Sequence, residues 1–272
     1  MRRIVLAMIM AGVVHGAQAA DLPDLTDVPV LRGALHEGLR PVRWQGFYVG
    51  GQAGTGSSDM DFSGSTQNMV ASLLVNTGIE NVGQVSQWPV LGKKSQRGDG
   101  YGGFAGYNSQ WGDVVLGLEA NYMHGNFGGS DTNTMSRFFD VGTFTDFVDY
   151  NATTRFMIKD MGSVRARAGW AWGSFLPYMF GGVSLGRADV YRNATVSGTQ
   201  VEIANPANVI PFSFSRTEGQ SNRFIYGYAA GLGVDVMLVG GLFARAEWEY
   251  LKFAGPIDTS INTVRGGLGY RF

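Results

Sequence analysis

The chain of 272 residues contains no cysteine, which excludes disulfide frameworks, thiolate nucleophiles and cysteine-ligated zinc. Charged residues are scarce, at 16% against the roughly 25% of an average soluble domain. Neither sign dominates: the net charge is −1, so there is no basic excess to hold nucleic acid and no acidic tail to recruit cations. Neither His36 nor His124 has the neighbours that metal-ligand spacing requires, and no metal or cofactor is expected. Long apolar runs are missing too. The stretch from Ile4 to Val14 is well short of the roughly 20 residues of a spanning helix, and nothing later is longer.

That short run sits behind Arg2 and Arg3 and ahead of Ala17-Gln18-Ala19, the arrangement of a secretory signal over residues 1–19 with a mature start at Ala20. Residues 20–43 carry Pro23, Pro29 and Pro41 without a sustained period and read as an extended periplasmic leader. What the chain has in quantity is glycine, at 41, and aromatics, at 12%. An exported membrane chain without spanning helices must close a sheet on itself, because only a closed sheet satisfies its backbone hydrogen bonds in lipid. The expected fold class is therefore all-β, an eight-stranded antiparallel transmembrane β-barrel over residues 44–272.

Period-two segments carry this expectation. They fall at 46–56, 100–110, 114–124, 160–171, 176–186, 223–237, 242–250 and 263–272. Short turns are expected near 111–113, 172–175 and 239–241, with a modest loop at 251–259. Long extracellular loops are expected at 57–99, 125–159 and 187–222. A soluble eight-stranded calyx alternates as well, but the export signal and the outward aromatics favour the membrane form. In the fourth segment Val164, Ala166, Ala168 and Trp170 alternate with Ser163, Arg165 and Arg167. The arginines must point inward, since on the lipid face near the midplane each would cost about 2–4 kcal/mol.

The same logic places Glu119, Asp235, Glu247 and Glu249 inside with Arg165, Arg167, Arg245 and Arg265. Unpaired charges in so narrow a space are costly, so an ion network is expected, with Glu247 and Arg265 on adjacent strands as its best-supported pair. Eight strands leave an interior just wide enough for side chains to fill, which favours a plug, although a narrow polar pore would use the same residues.

Trp44-Gln45-Gly46-Phe47-Tyr48-Val49-Gly50-Gly51, Ala20-Asp21-Leu22-Pro23, Tyr178 with Gly181-Gly182, and the closing Gly266-Gly267-Leu268-Gly269-Tyr270-Arg271-Phe272 resemble the RopB-like, OmpA-type porin family of alphaproteobacterial outer-membrane β-barrel proteins. The resemblance spans the mature chain apart from the three long loops. It implies a place in the cell outer membrane, among outer-membrane lipid and lipopolysaccharide. It further implies that Leu268, Tyr270 and Phe272 form the signal read by the barrel assembly machinery, and that Ala20 is a candidate for linkage to peptidoglycan. No separate C-terminal peptidoglycan-binding domain is expected.

Catalysis has little support, because His124 beside Gly125-Asn126 has no hydroxyl in a recognisable arrangement. In the second long loop Asp131, Asp140, Asp146 and Asp149 alternate with Phe138, Phe139, Phe144, Phe147 and Tyr150. This mix suits contact with host surfaces, phage or a planar ligand such as haem; packing of the loop against the rim is the favoured reading. The expected function is a structural, non-enzymatic barrel supporting envelope integrity, with loops free for surface contacts. The alternative is a low-conductance porin for small hydrophilic solutes.

Overall fold

The computed structural model describes residues 42–272. The signal, most of the leader, Ala20 and His36 lie outside the described residues. The strands are β1 (Gly46–Asp61), β2 (Lys93–Trp111), β3 (Val114–Val141), β4 (Phe144–Trp170), β5 (Phe175–Glu202), β6 (Val209–Val239), β7 (Leu242–Ala254) and β8 (Asp258–Arg271). Each pairs antiparallel with its sequence neighbour, and β1 pairs with β8, so the ring is closed. At one end the turns are tight. Gly112, Gly173, Gly240 and Gly241 adopt positive φ there, a conformation that glycine enters without steric cost.

Two of the three expected long loops are strands instead. Residues 125–159 form the upper parts of β3 and β4, joined by a two-residue turn at Gly142-Thr143, and residues 187–222 form the upper parts of β5 and β6. These four strands run 27 to 31 residues, whereas β7 and β8 have 13 and 14. Measured along the strands, these four therefore continue as a sheet roughly 50 Å past β7 and β8, at about 3.3 Å per residue.

The polarity of the two faces reverses where this extension begins. Within the barrel proper, outward positions are apolar, as at Leu118, Val164, Val183 and Leu232, and the middle of the inward face is charged, as at Glu119, Arg165 and Glu247. Above it, inward Phe156, Ile158, Val190 and Val196 are buried and outward positions are mostly polar, with hydroxyls and amides at Thr132, Thr134, Asn151, Thr153 and Thr195. Register shifts mark the change, between His124 and Phe127, Ile158 and Asp160, and Ala188 and Val190. One extra residue on a strand is what a bulge supplies, and it re-aims the alternation.

The remaining long connection, β1 to β2, folds as a cap containing α1 (Gln67–Leu73), α2 (Gly78–Gly83) and a 3₁₀ turn (Val85–Gln87). Such short helices are not stable alone. The Thr66 hydroxyl before α1 shares a 2.7 Å hydrogen bond with the Tyr150 hydroxyl on β4, while Thr77 caps α2 by accepting from the Glu80 N–H at 3.3 Å. The cap is held by apolar contact. Phe62, Val70, Leu74 and Val85 are completely buried in one cluster with Phe127, Phe156 and Ile158, each worth about 1.5–3 kcal/mol of burial.

Candidate functional site

The lumen is filled by a layer of four carboxylates and four guanidiniums. Glu119, Arg165, Arg167, Asp235, Arg245, Glu247, Glu249 and Arg265 are all at most 4% exposed. Strand alternation places them: each lies on the pleat face opposite an apolar, lipid-facing neighbour. Inward glycines make the space. A Cβ on Gly233 would stand 2.5 Å from the Tyr178 ring, and one on Gly106 would stand 2.6 Å from that of Tyr48.

Arg165 is the hub of the layer. Its Nε donates to Glu119 at 2.9 Å, its Nη2 to both Glu247 oxygens at 2.7 and 2.8 Å, and its Nη1 to Glu249 at 3.2 Å. The guanidinium also lies 4.0 Å from the Phe180 ring centroid. Glu119 accepts in addition from Arg245 at 2.8 Å, from Arg167 at 3.3 Å and from the Tyr48 hydroxyl at 2.7 Å. Asp235 accepts from Arg167 at 2.7 Å and from Arg245 at 2.8 and 3.0 Å. Every charge in the layer has an opposite partner, as a buried ion requires.

The proposed pair Glu247 and Arg265 needs correction. They are register partners on β7 and β8, but their side chains do not meet as an ion pair. Arg265 reaches Glu249 instead and also donates to Thr263 and Asn121, while Glu247 turns to Arg165 and to the Tyr178 hydroxyl. Backbone register fixes neighbours to within a residue pair, and the long arginine chooses among the carboxylates in reach.

Apolar layers close the charged layer on both sides. Toward the short turns Trp44, Val115, Leu176 and Phe243 are buried, and Trp44 packs edge-on against Phe243 at 6.2 Å. Toward the extension Met123, Ile225, Leu251, Phe253 and Ile261 are buried. Of the aromatics that meet the charged layer, Tyr48 and Tyr178 carry the family resemblance in the sequence and Phe104 and Phe180 do not, and none of the four is expected in the lumen from sequence. Their signal was present, since each falls in phase with the inward glycines of its strand, but strand aromatics read by default as lipid-facing.

Leu268, Tyr270 and Phe272 line the outward side of the closing strand segment and are half or more exposed, apart from Tyr270 at 46%; the Tyr270 and Phe272 rings meet at 5.3 Å. His124 lies outside, at the top of the apolar wall. Its Nδ1 is 2.8 Å from Asp160 Oδ1, to which the Tyr122 hydroxyl also donates at 2.7 Å. In the extension, Tyr150 is buried and Phe139 packs edge-on to Trp88 at 6.4 Å, whereas Phe138 and Phe147 stack at 5.8 Å on the exposed side. The aromatics of the expected second loop thus divide between core and surface.

A family model described as outer membrane protein beta-barrel domain matches residues 39–272. The chain is 25% identical over 171 residues to the 25 kDa outer-membrane immunogenic protein of Brucella ovis, covering 63% of this chain and 62% of that protein. It is 24% identical to the 22 kDa outer membrane protein of Rhizobium leguminosarum bv. viciae, over 99% of this chain and 100% of that one. Among solved structures, Neisserial surface protein A is similar at 14% identity and a TM-score of 0.36, over 83% of this chain and 97% of that one. The attachment invasion locus protein of Yersinia pestis is similar at 14% identity and a TM-score of 0.31, over 84% and 99%.

Proposed function

We propose, for a chain that belongs to the outer membrane protein beta-barrel domain family, that it is a structural, non-enzymatic barrel supporting envelope integrity rather than a conduit. The protein resides in the outer membrane, among its lipids. The observation that carries the reading is the sealed charge layer, with eight paired ions at most 4% exposed between two apolar layers. An ion crossing the lumen would have to open both seals and displace paired charges, a change far larger than a rotamer flip.

The rest of the partner assignment follows the same reading. The outward row Leu268, Tyr270 and Phe272 serves the assembly machinery, and Ala20 offers a link to peptidoglycan. The competing reading, a low-conductance porin for small hydrophilic solutes, draws on one observation. Just above the ions, Gln52 Oε1, Asn121 Nδ2 and Ser184 Oγ are buried without a protein partner, so part of the lumen has polar groups free for water or a small solute.

Planar-bilayer conductance of the refolded full chain separates the two. The wild type should be silent. Arg165→Gln should remain silent alone and conduct intermittently when joined to Phe253→Ala, which thins the upper seal. Stable small openings in the wild type would overturn the sealed reading in favour of the porin.

A further inference from the structure

The outward face of the extension has an order that the sealed lumen does not explain. Above the rim, the paired positions of β3, β4, β5 and β6 form rows across the sheet. One row is Thr134, Asn151, Thr195 and Ser215; the row below is Thr132, Thr153, Asn193 and Thr217. A third row, Ser136, Asp149, Ser197 and Ser213, adds one carboxylate, to which the Ser136 hydroxyl donates. Cross-strand hydrogen bonds hold the array: Asn151 donates to Thr134 at 2.7 Å, Asn193 donates to Thr217 at 2.7 Å, and the Thr195 and Ser215 hydroxyls lie 3.0 Å apart. A hydroxyl so engaged keeps acceptor capacity, and an amide keeps a carbonyl, so the array stays open to a ligand. Aromatics bracket it, with Tyr191 below and the stacked Phe138 and Phe147 above, all exposed.

The array continues, on the same strands and the same face, the wall that meets lipid. Going up β4 and β5, apolar Val164, Val183 and Leu185 give way to a polar belt containing Lys159 and Arg187, then to Arg155 and Tyr191, then to the hydroxyl rows. Lys159 and Arg187 are each about half exposed beside Asp189 and Asp160, at 53% and 47%. A depression of about 370 Å³ at the junction is lined by Tyr122, Asp160, Gly162, Leu185, Arg187 and Phe224. The middle hydroxyl row begins roughly 30 Å along the strand from Asp160.

We propose that this face docks the saccharide of a phosphorylated glycolipid of the outer leaflet, whose acyl chains lie on the wall below and whose phosphate meets the Lys159 and Arg187 belt. The order apolar, charged, hydroxyl along the strands matches the order acyl, phosphate, sugar along such a lipid; in the charged belt Asp160 and Asp189 sit beside the two cations, and exposed Arg155 above them adds a third. Neutral hydroxyl and amide groups exchange hydrogen bonds with sugar hydroxyls, and exposed rings stack on their C–H faces. The occupant is set by continuity with the lipid-facing wall: a membrane glycolipid arrives already oriented along these strands, which a free glycan does not. The inference is independent of whether the lumen conducts.

The test uses the full refolded chain in phospholipid nanodiscs containing glycolipid extracted from an alphaproteobacterial outer membrane, either intact or stripped of its saccharide by mild acid. Amide exchange is followed over residues 145–157 and 190–200. Intact glycolipid should slow exchange there at least fivefold relative to the stripped form. Asn151→Ala/Thr195→Ala should abolish that difference, Asn151→Ser/Thr195→Ser should retain it, and Arg187→Ala should weaken retention of both lipid forms. Equal protection by intact and stripped lipid, or protection indifferent to the alanine pair in a barrel with native gel mobility, would overturn the proposal. So would equal protection by the released saccharide or by dextran in solution, which would make the face a free-glycan site.

Discussion

Replacing Arg165 with methionine removes one cation from a layer balanced at four against four while nearly conserving volume. The lost guanidinium makes hydrogen bonds to Glu119, Glu247 and Glu249, and all three carboxylates remain buried. Breaking a buried ion pair by removing one partner costs about 3–5 kcal/mol, a loss of roughly two to four decades in the folded-to-unfolded ratio. The assay is equilibrium denaturant unfolding in detergent micelles, followed by tryptophan fluorescence. Arg165→Met/Glu247→Gln restores the balance at three against three, so the double variant should be more stable than the single by about 1–3 kcal/mol. Lys93→Met provides the contrast. Lys93 is 3.6 Å from Asp61 with its side chain 81% exposed, and its loss should cost less than about 1 kcal/mol. A cost below about 1 kcal/mol for Arg165→Met, or strictly additive losses in the double variant, would refute the claim that charge balance holds the layer.

Other substitutions probe the space and the cap. Gly233→Val would drive a side chain into the Tyr178 ring, and heat-modifiable gel mobility should report a barrel that fails to close. Asp131 fastens the cap, accepting from the Gly92 N–H at 2.9 Å and facing Lys94 at 3.4 Å; Asp131→Ala should cost about 1–3 kcal/mol locally and expose residues 62–92 to limited proteolysis while leaving barrel mobility unchanged. Burial raises the pKa of Asp146, in the extension, against the lowering effect of a 3.0 Å hydrogen bond from Gln200. A raised folded pKa means that stability is present at low pH and lost as pH rises through that value. The hairpin of β4 and β5 should accordingly exchange more slowly, after correction for intrinsic rates, at about pH 4 than at about pH 7, and Asp146→Asn should flatten the difference; an unchanged profile would remove Asp146 as its cause.

The barrel proper was legible because lipid enforces a strict rule: outward apolar, inward polar, with turns of glycine at one end. That rule located all eight strands and the inward side of Arg165, Glu119 and Glu247. It failed above the rim because the rule itself reverses there. Asn151 and Thr153 alternate with buried Tyr150, Ala152 and Thr154 as regularly as any lipid-facing strand, but polar residues at alternate positions resemble a loop when an apolar outer face is sought. The bulges at Lys159 on β4 and at Ser221–Asn222 on β6 hid the continuity of those strands by shifting phase at the same level. The Glu247 and Arg265 pairing failed for a different reason, because register constrains Cα positions and not the reach of a guanidinium. The cap was illegible because α1 and α2 have few residues of their own and take their shape from the sheet beneath.

The level at which the two faces exchange character also has a mechanical consequence. Sliding the barrel inward by two residues of β4, about 5 Å along the membrane normal for a tilted strand, would carry Asp160 and Arg187 toward hydrocarbon. Sliding it outward would strand Tyr122 and Leu185 in water. The polarity change is thus a waterline inscribed on four adjacent strands, and because β7 and β8 stop near it, the molecule resists tilting as well as bobbing. A membrane thicker or thinner than the apolar band must deform around this protein, so the barrel sets the local thickness of its surroundings.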